Sequence, residues 1–147
     1  MSFSVGDIPF FEEYQFTDNG EAAKHFGLVL LPEEATQYQE SILCCVITSQ
    51  PPAKWCLPLE EKNYPCFNKK SYACFNRKDL VSKRGLGKDP QPRGQLTDAD
   101  FPAAFKTLKK SLFVIKDIAS DKFLRGAIIF EWKQQLSKRS LLSRVKS

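Results

Sequence analysis

Two short apolar runs restrict what this chain can become. Phe26–Leu31 and Ile42–Ile47 are each about the length of one strand, rich in branched and bulky side chains, and separated by a polar turn. Neither alternates apolar with polar residues, so both expect burial on two faces. Pro32 stops the first run, and Gln50-Pro51-Pro52 closes the second. The polar residues at the ends of this pair stand out. Lys24 and His25, the sole histidine, precede the first run, and Thr48 and Ser49 follow the second.

Short strands between turns recur along the first two thirds of the chain. Val5–Phe16 reads as a strand or two interrupted at Pro9, and Thr17-Asp18-Asn19-Gly20 is a turn signal. Glu33–Glu40 reads as a loop or one helical turn, Trp55-Cys56-Leu57 as a short strand, and Ser71–Phe75 as another. Asn76–Lys83 reads as a single helical turn, and Gly85–Gly94 as a mobile basic loop. Such a series predicts a small, mostly antiparallel barrel or sandwich.

Helices follow. Phe101, Ala104, Phe105, Leu108 and Leu112 form one apolar stripe at helical spacing, capped by Thr97 or by Asp100, the latter placing Pro102 in the first turn. Ser120–Leu142 reads as a second helix capped near Ser120-Asp121, running into a basic, frayed end. The predicted organisation is a barrel with its terminal helix over residues 1–118 and a helical extension with a basic tail over residues 119–147.

The 147 residues suffice for a core without metal or disulfides. No apolar run reaches the ~18 residues of a membrane span, and the N-terminus lacks a secretory pattern, so a cytoplasmic protein is expected. The five cysteines are odd in number and lack C-x-x-C spacing, which predicts reduced, structural thiols. Charge is uneven. Residues 1–40 carry eight acidic groups and one basic, leaving 21 basic against 9 acidic in the remainder, which suits a polyanionic partner.

One duplication bears on that partner. Cys66-Phe67-Asn68-Lys69-Lys70 is echoed by Cys74-Phe75-Asn76-Arg77-Lys78, interleaving aromatic rings with cations as single-stranded nucleic acid requires. The plainer reading is two strands with rings inward and cations outward. Other chemistries find less support. A cysteine protease lacks a local nucleophile signature, a zinc site lacks paired ligands, and Gly85-Leu86-Gly87-Lys88 is too short for a phosphate loop. Metal-free RNA cleavage needs a base, an acid and a cation beside the phosphate, and Lys24, His25, Thr48 and Ser49 include suitable groups. A surface histidine at the start of a strand is the competing reading.

Gly6-Asp7-Ile8, Phe16-Thr17-Asp18 and Lys24–Leu30 resemble the opening of the PemK/MazF-like toxin family. Cys45–Gln50 is similar to its next strand, and Leu57-Pro58-Leu59, Ser71-Tyr72, Gly94–Thr97 and the helix over Asp100–Leu112 keep the family's order. The likeness covers roughly residues 4–113. It implies a small SH3-like antiparallel barrel plus C-terminal helices, a homodimer, and a metal-independent, cofactor-free endoribonuclease that cuts single-stranded RNA and is held by a cognate antitoxin. The family's catalytic arginine and threonine fall at His25 and Thr48. Thr48 matches, whereas His25-Phe26 replaces an arginine-proline pair. Taken with the residue pattern, the candidate catalytic set is His25, Thr48 and Lys24, with Ser49, Lys69, Lys70, Arg77 and Lys78 as candidate RNA contacts. The alternative is a non-catalytic module of the same fold that binds RNA or a protein.

Overall fold

In a computed structural model the chain is described over residues 3–50 and 54–146, with side chains described through residue 140. The elements in order are β1 (Asp7–Ile8), β2 (Phe10–Gln15), β3 (Ala22–Leu31), α1 (Glu33–Thr36), β4 (Ser41–Thr48), β5 (Cys56–Leu59), β6 (Ser71–Ser82), β7 (Gly94–Gln95), α2 (Phe101–Val114) and α3 (Lys122–Lys146). Five strands form one antiparallel sheet in the order β2-β3-β4-β6-β5, and β1 pairs with β7 alongside it. Among the described residues the sheet does not close by hydrogen bonds, so the architecture is an open, mainly β one carrying C-terminal helices.

The two apolar runs pair as the centre of this sheet. Phe26 lies opposite Ile47 and Leu28 opposite Cys45. Strand β3 begins at Ala22, earlier than the apolar run. Its polar start is held by main-chain pairing to β2, including Tyr14 with Ala23 and Gln15 with Ala22, which hydropathy cannot reveal. The turn between them uses Gly20 at φ 72°, while the Asn19 side-chain oxygen accepts the Glu21 N–H at 2.9 Å. Pro51 and Pro52 lie outside the described residues.

One sequence expectation fails here and another holds only in part. The helical turn over Asn76–Lys83 is instead the second half of the long strand β6. Cys44 pairs with Asp79 and Cys45 with Lys78, so the most buried strand recruits a polar partner. That partner is tolerated because both Lys78 and Asp79 are paired. Asp79 accepts the Tyr14 hydroxyl and the Thr17 N–H, both at 2.8 Å, and the Lys78 ammonium meets Asp117 at 3.2 Å. The loop over Gly85–Gly94 is also more structured than expected. Gly85 and Leu86 are buried in a 3-10 turn, and Gly94 enters β7.

Apolar side chains cover both faces of the sheet. One face carries Leu28, Leu43, Cys45, Ile47 and Phe75 against Phe101, Leu108 and Trp132 of the helices. The other carries Phe11, Tyr14, Val29, Ile42, Cys44 and Val81. Helix α2 starts after Asp100, with Pro102 in its first turn. The Asp100 carboxylate makes no cap bond; it accepts the Tyr64 hydroxyl at 2.5 Å instead. Helix α3 is capped by Asp121, which accepts the N–H groups of Phe123 and Leu124 at 2.9 and 3.1 Å.

Helix α3 shares the main core. Trp132 is fully buried, stacked on Phe101 with ring centroids 4.6 Å apart. Its indole N–H donates to the Leu30 carbonyl at 2.9 Å. The β3–β4 register slips by one between Val29 and Leu31, so Leu30 is the extra, bulged residue. The indole supplies the partner that the interrupted ladder withholds. The side chains of Arg144 and Lys146, part of the expected basic tail, lie outside the described residues.

Candidate nucleic-acid cleft

A cleft of about 380 Å³ lies across the open ends of β3 and β4 and the segment leading into β6. Lys24, His25 and Phe26 come from β3, Thr48, Ser49 and Gln50 from the end of β4, and Phe67, Asn68, Lys69 and Ser71 from the approach to β6. The polar ends of the two apolar runs therefore meet, although the runs are separated by a turn and a helix. Antiparallel pairing brings this about. With Phe26 opposite Ile47, His25 and Thr48 flank the same end of the β3–β4 pair.

His25 is half-buried in an aromatic setting. Its ring meets Phe16 and Tyr14 edge-on, with centroids 5.6 and 6.2 Å away. Burial pushes its pKa below the ordinary 6.5, opposed by a hydrogen bond with the Ile47 backbone. The imidazole is thus held neutral near pH 7, the form that accepts a proton. The Thr48 hydroxyl oxygen accepts the Gln50 N–H at 3.2 Å, which fixes the side chain and leaves its own proton to donate. Phe26 adds an apolar wall, edge-on to Phe10 at 5.1 Å and to Phe67 at 5.0 Å.

The cationic candidates divide. Lys24 and Lys69 are exposed and line the cleft. Lys70 lies outside it, 3.1 Å from Glu60 and over the Tyr72 ring. Arg77 binds Asp18 and stacks on Phe16 with its guanidinium 4.3 Å from the ring centroid. Lys78 is buried and committed to Asp117, with no surface from which to meet RNA. The two copies of the duplication thus have different environments. Only the first, through Phe67, Asn68 and Lys69, lines the cleft, while the second runs within β6.

Sequence reasoning passed over Asn68, Ser71 and Phe10 as cleft residues. The first two lie beside or within the duplicated segment, which was the available signal; Phe10 had none, because its place depends on pairing with Phe26. Among the described residues no group of three or more metal-binding side chains occurs, and no helix is long and apolar enough to cross a membrane.

An open, five-stranded antiparallel sheet with C-terminal helices and a cleft at its strand ends is a MazF/PemK-like fold. The chain superposes on the solved structure of the Mycobacterium tuberculosis toxin MazF-mt6 with a TM-score of 0.52, covering 74% of this chain and 99% of that one at 16% identity. No protein-family model and no curated protein matches the sequence.

Proposed function

We propose that this protein is a toxin-type, metal-independent endoribonuclease acting on single-stranded RNA in the cytoplasm, with His25, Thr48 and Lys24 as its catalytic set. The observation that carries this reading is the convergence of those three residues with Ser49 and Lys69 in one cleft. A neutral His25 takes the 2′-hydroxyl proton, the 2′-oxygen attacks phosphorus, and the resulting imidazolium returns a proton to the departing 5′-oxygen. Lys24 balances charge growing on the phosphate, and Thr48 and Ser49 orient it through their hydroxyls. Phe26 gives an unpaired base an apolar surface, which a stacked duplex has no free base to use.

Lys69 joins Lys24 in holding the RNA backbone. Lys70 and Arg77, each in an ion pair, are left to the periphery, and Lys78 serves the fold. The same reading includes a homodimer and an antitoxin partner that masks the basic cleft.

Cleavage of single-stranded RNA by purified protein in the presence of a chelator is the direct test. Wild type should cut, and His25→Ala should lose about 10²–10⁴-fold in kcat. Uncut RNA with wild type removes the enzyme reading, and equal rates for wild type and His25→Ala remove the mechanism. Binding without products would instead establish the non-catalytic module.

A further inference from the structure

The two copies of the Cys-Phe-Asn segment differ in what their cysteines meet. Cys74 lies on β6 directly opposite Cys56 on β5. The Phe75 N–H donates to the Trp55 carbonyl at 2.9 Å in the same register. The adjoining Cys56–Cys74 pair therefore occupies a non-hydrogen-bonded position, where facing side chains come closest. Their Sγ atoms are 3.1 Å apart, with both thiols free. A disulfide needs about 2.05 Å, so a small rotation of each side chain separates the two states.

We propose that Cys56 and Cys74 form a reversible dithiol–disulfide couple, oxidised by hydroperoxides, that staples the wall of the cleft. Cys56 is the more exposed thiol and attacks first. Its sulfur bonds to the outer peroxide oxygen, the O–O bond breaks, and the alcohol or water leaves with Cys56 as a sulfenic acid. The Cys74 sulfur then attacks the Cys56 sulfur, the S–O bond breaks, and the hydroxide departs as water with the Cys74 proton. Two thiols and one hydroperoxide thus give one disulfide, one alcohol or water, and one further water.

The division of labour follows from the surroundings. Burial and the adjacent Cys56 hold the Cys74 pKa up, to about 12, so Cys74 resolves rather than initiates. Cys44 and Cys45 are fully buried, and burial likewise raises their pKa values. The consequence for the cleft is topological. Phe67, Asn68, Lys69 and Ser71 all lie in the segment between Cys56 and Cys74. The disulfide closes that segment into a covalent loop and anchors β5, an edge strand. The redox chemistry stands apart from the RNA reading; the stapling of the cleft wall is where the two meet.

Peroxide treatment of the full chain tests the couple directly. Of five free thiols, two should be lost on titration in denaturant, with a mass decrease of about 2 Da for one disulfide. A cross-linked peptide joining Cys56 to Cys74 should appear and be reversed by dithiothreitol. Cys56→Ser and Cys74→Ala should each abolish the mass decrease, with far-UV circular dichroism reporting that both still fold, and Cys66→Ser should retain it. Five thiols surviving peroxide, a disulfide through Cys66, or sulfinic acid accumulating on Cys56 without a link to Cys74 would each overturn the proposal.

Discussion

Replacing Trp132 by Phe removes one donor from the most deeply buried part of the helix–sheet contact. The indole is 0% exposed and its N–H holds the Leu30 carbonyl at 2.9 Å, at the bulge where β3 has no ladder partner. Leaving that carbonyl buried and unpaired costs about 1–3 kcal/mol. The smaller ring also opens a gap beside Phe101, whose centroid is 4.6 Å away, and beside Phe105 at 6.1 Å. A partly relaxed gap of that kind adds about 1 kcal/mol. The expected total is about 3 kcal/mol, and a chain of this size then loses about 6–12 °C in Tm. Urea unfolding followed by far-UV circular dichroism measures it without relying on tryptophan emission. A loss below about 0.5 kcal/mol, the ordinary range for a surface change, would show that water or a main-chain group satisfies Leu30 and that α3 does not lock the bulge.

Asp117→Ala should destabilise by about 3–5 kcal/mol, because it strands the buried Lys78 ammonium; adding Lys78→Met should recover much of that loss in denaturant titrations. Gly85→Ala should cost at least about 3 kcal/mol, since a Cβ there runs into the main-chain carbonyl of Glu13; a melt like that of wild type would refute the close approach. The pH dependence has a definite sign. The folded pKa of His25 lies below the unfolded 6.5, so the unfolded chain binds the proton first and stability falls as pH drops through 6.5 towards the folded value. Well above 6.5 His25 contributes no slope, and His25→Gln should remove the fall seen below 6.5. Asp7 and Asp79, raised by burial above 3.8, act with opposite sign at lower pH, which makes the difference between wild type and His25→Gln the informative measurement. For RNA binding, Lys69→Ala should reduce the log–log salt slope by about 0.7; an unchanged slope would place Lys69 off the phosphate path.

Local sequence was informative wherever side chains met the same surroundings along a whole element. The stripe through Phe101, Phe105, Leu108 and Leu112 found α2, and the Asp100 start reconciled Pro102 with its first turn. The continuous run over Ile42–Ile47 found the central strand β4, whose residues Ile42 through Ile47 are all buried. Where polar residues are buried by virtue of a distant partner, the sequence misled. Lys78 and Asp79 look like surface groups on a turn, yet Asp117, Tyr14 and Thr17 hold them inside β6.

The candidate cleft shows the same boundary. Sequence by itself marked Lys24, His25, Thr48 and Ser49 as polar ends of two apolar runs and Phe67-Asn68-Lys69 as an aromatic–basic segment. It also offered Lys70, Arg77 and Lys78 on equal terms, because pattern alone does not distinguish a free cation from a committed one. Only the tertiary structure made that division, by supplying Glu60, Asp18 and Asp117 as partners. It likewise decided that Cys56 faces Cys74 and that Trp132 reaches Leu30, contacts set by strand register and helix docking over 18 and 102 residues of separation. Hydrophobic period specifies which face a residue takes. Which distant residue it meets follows from how the faces pack.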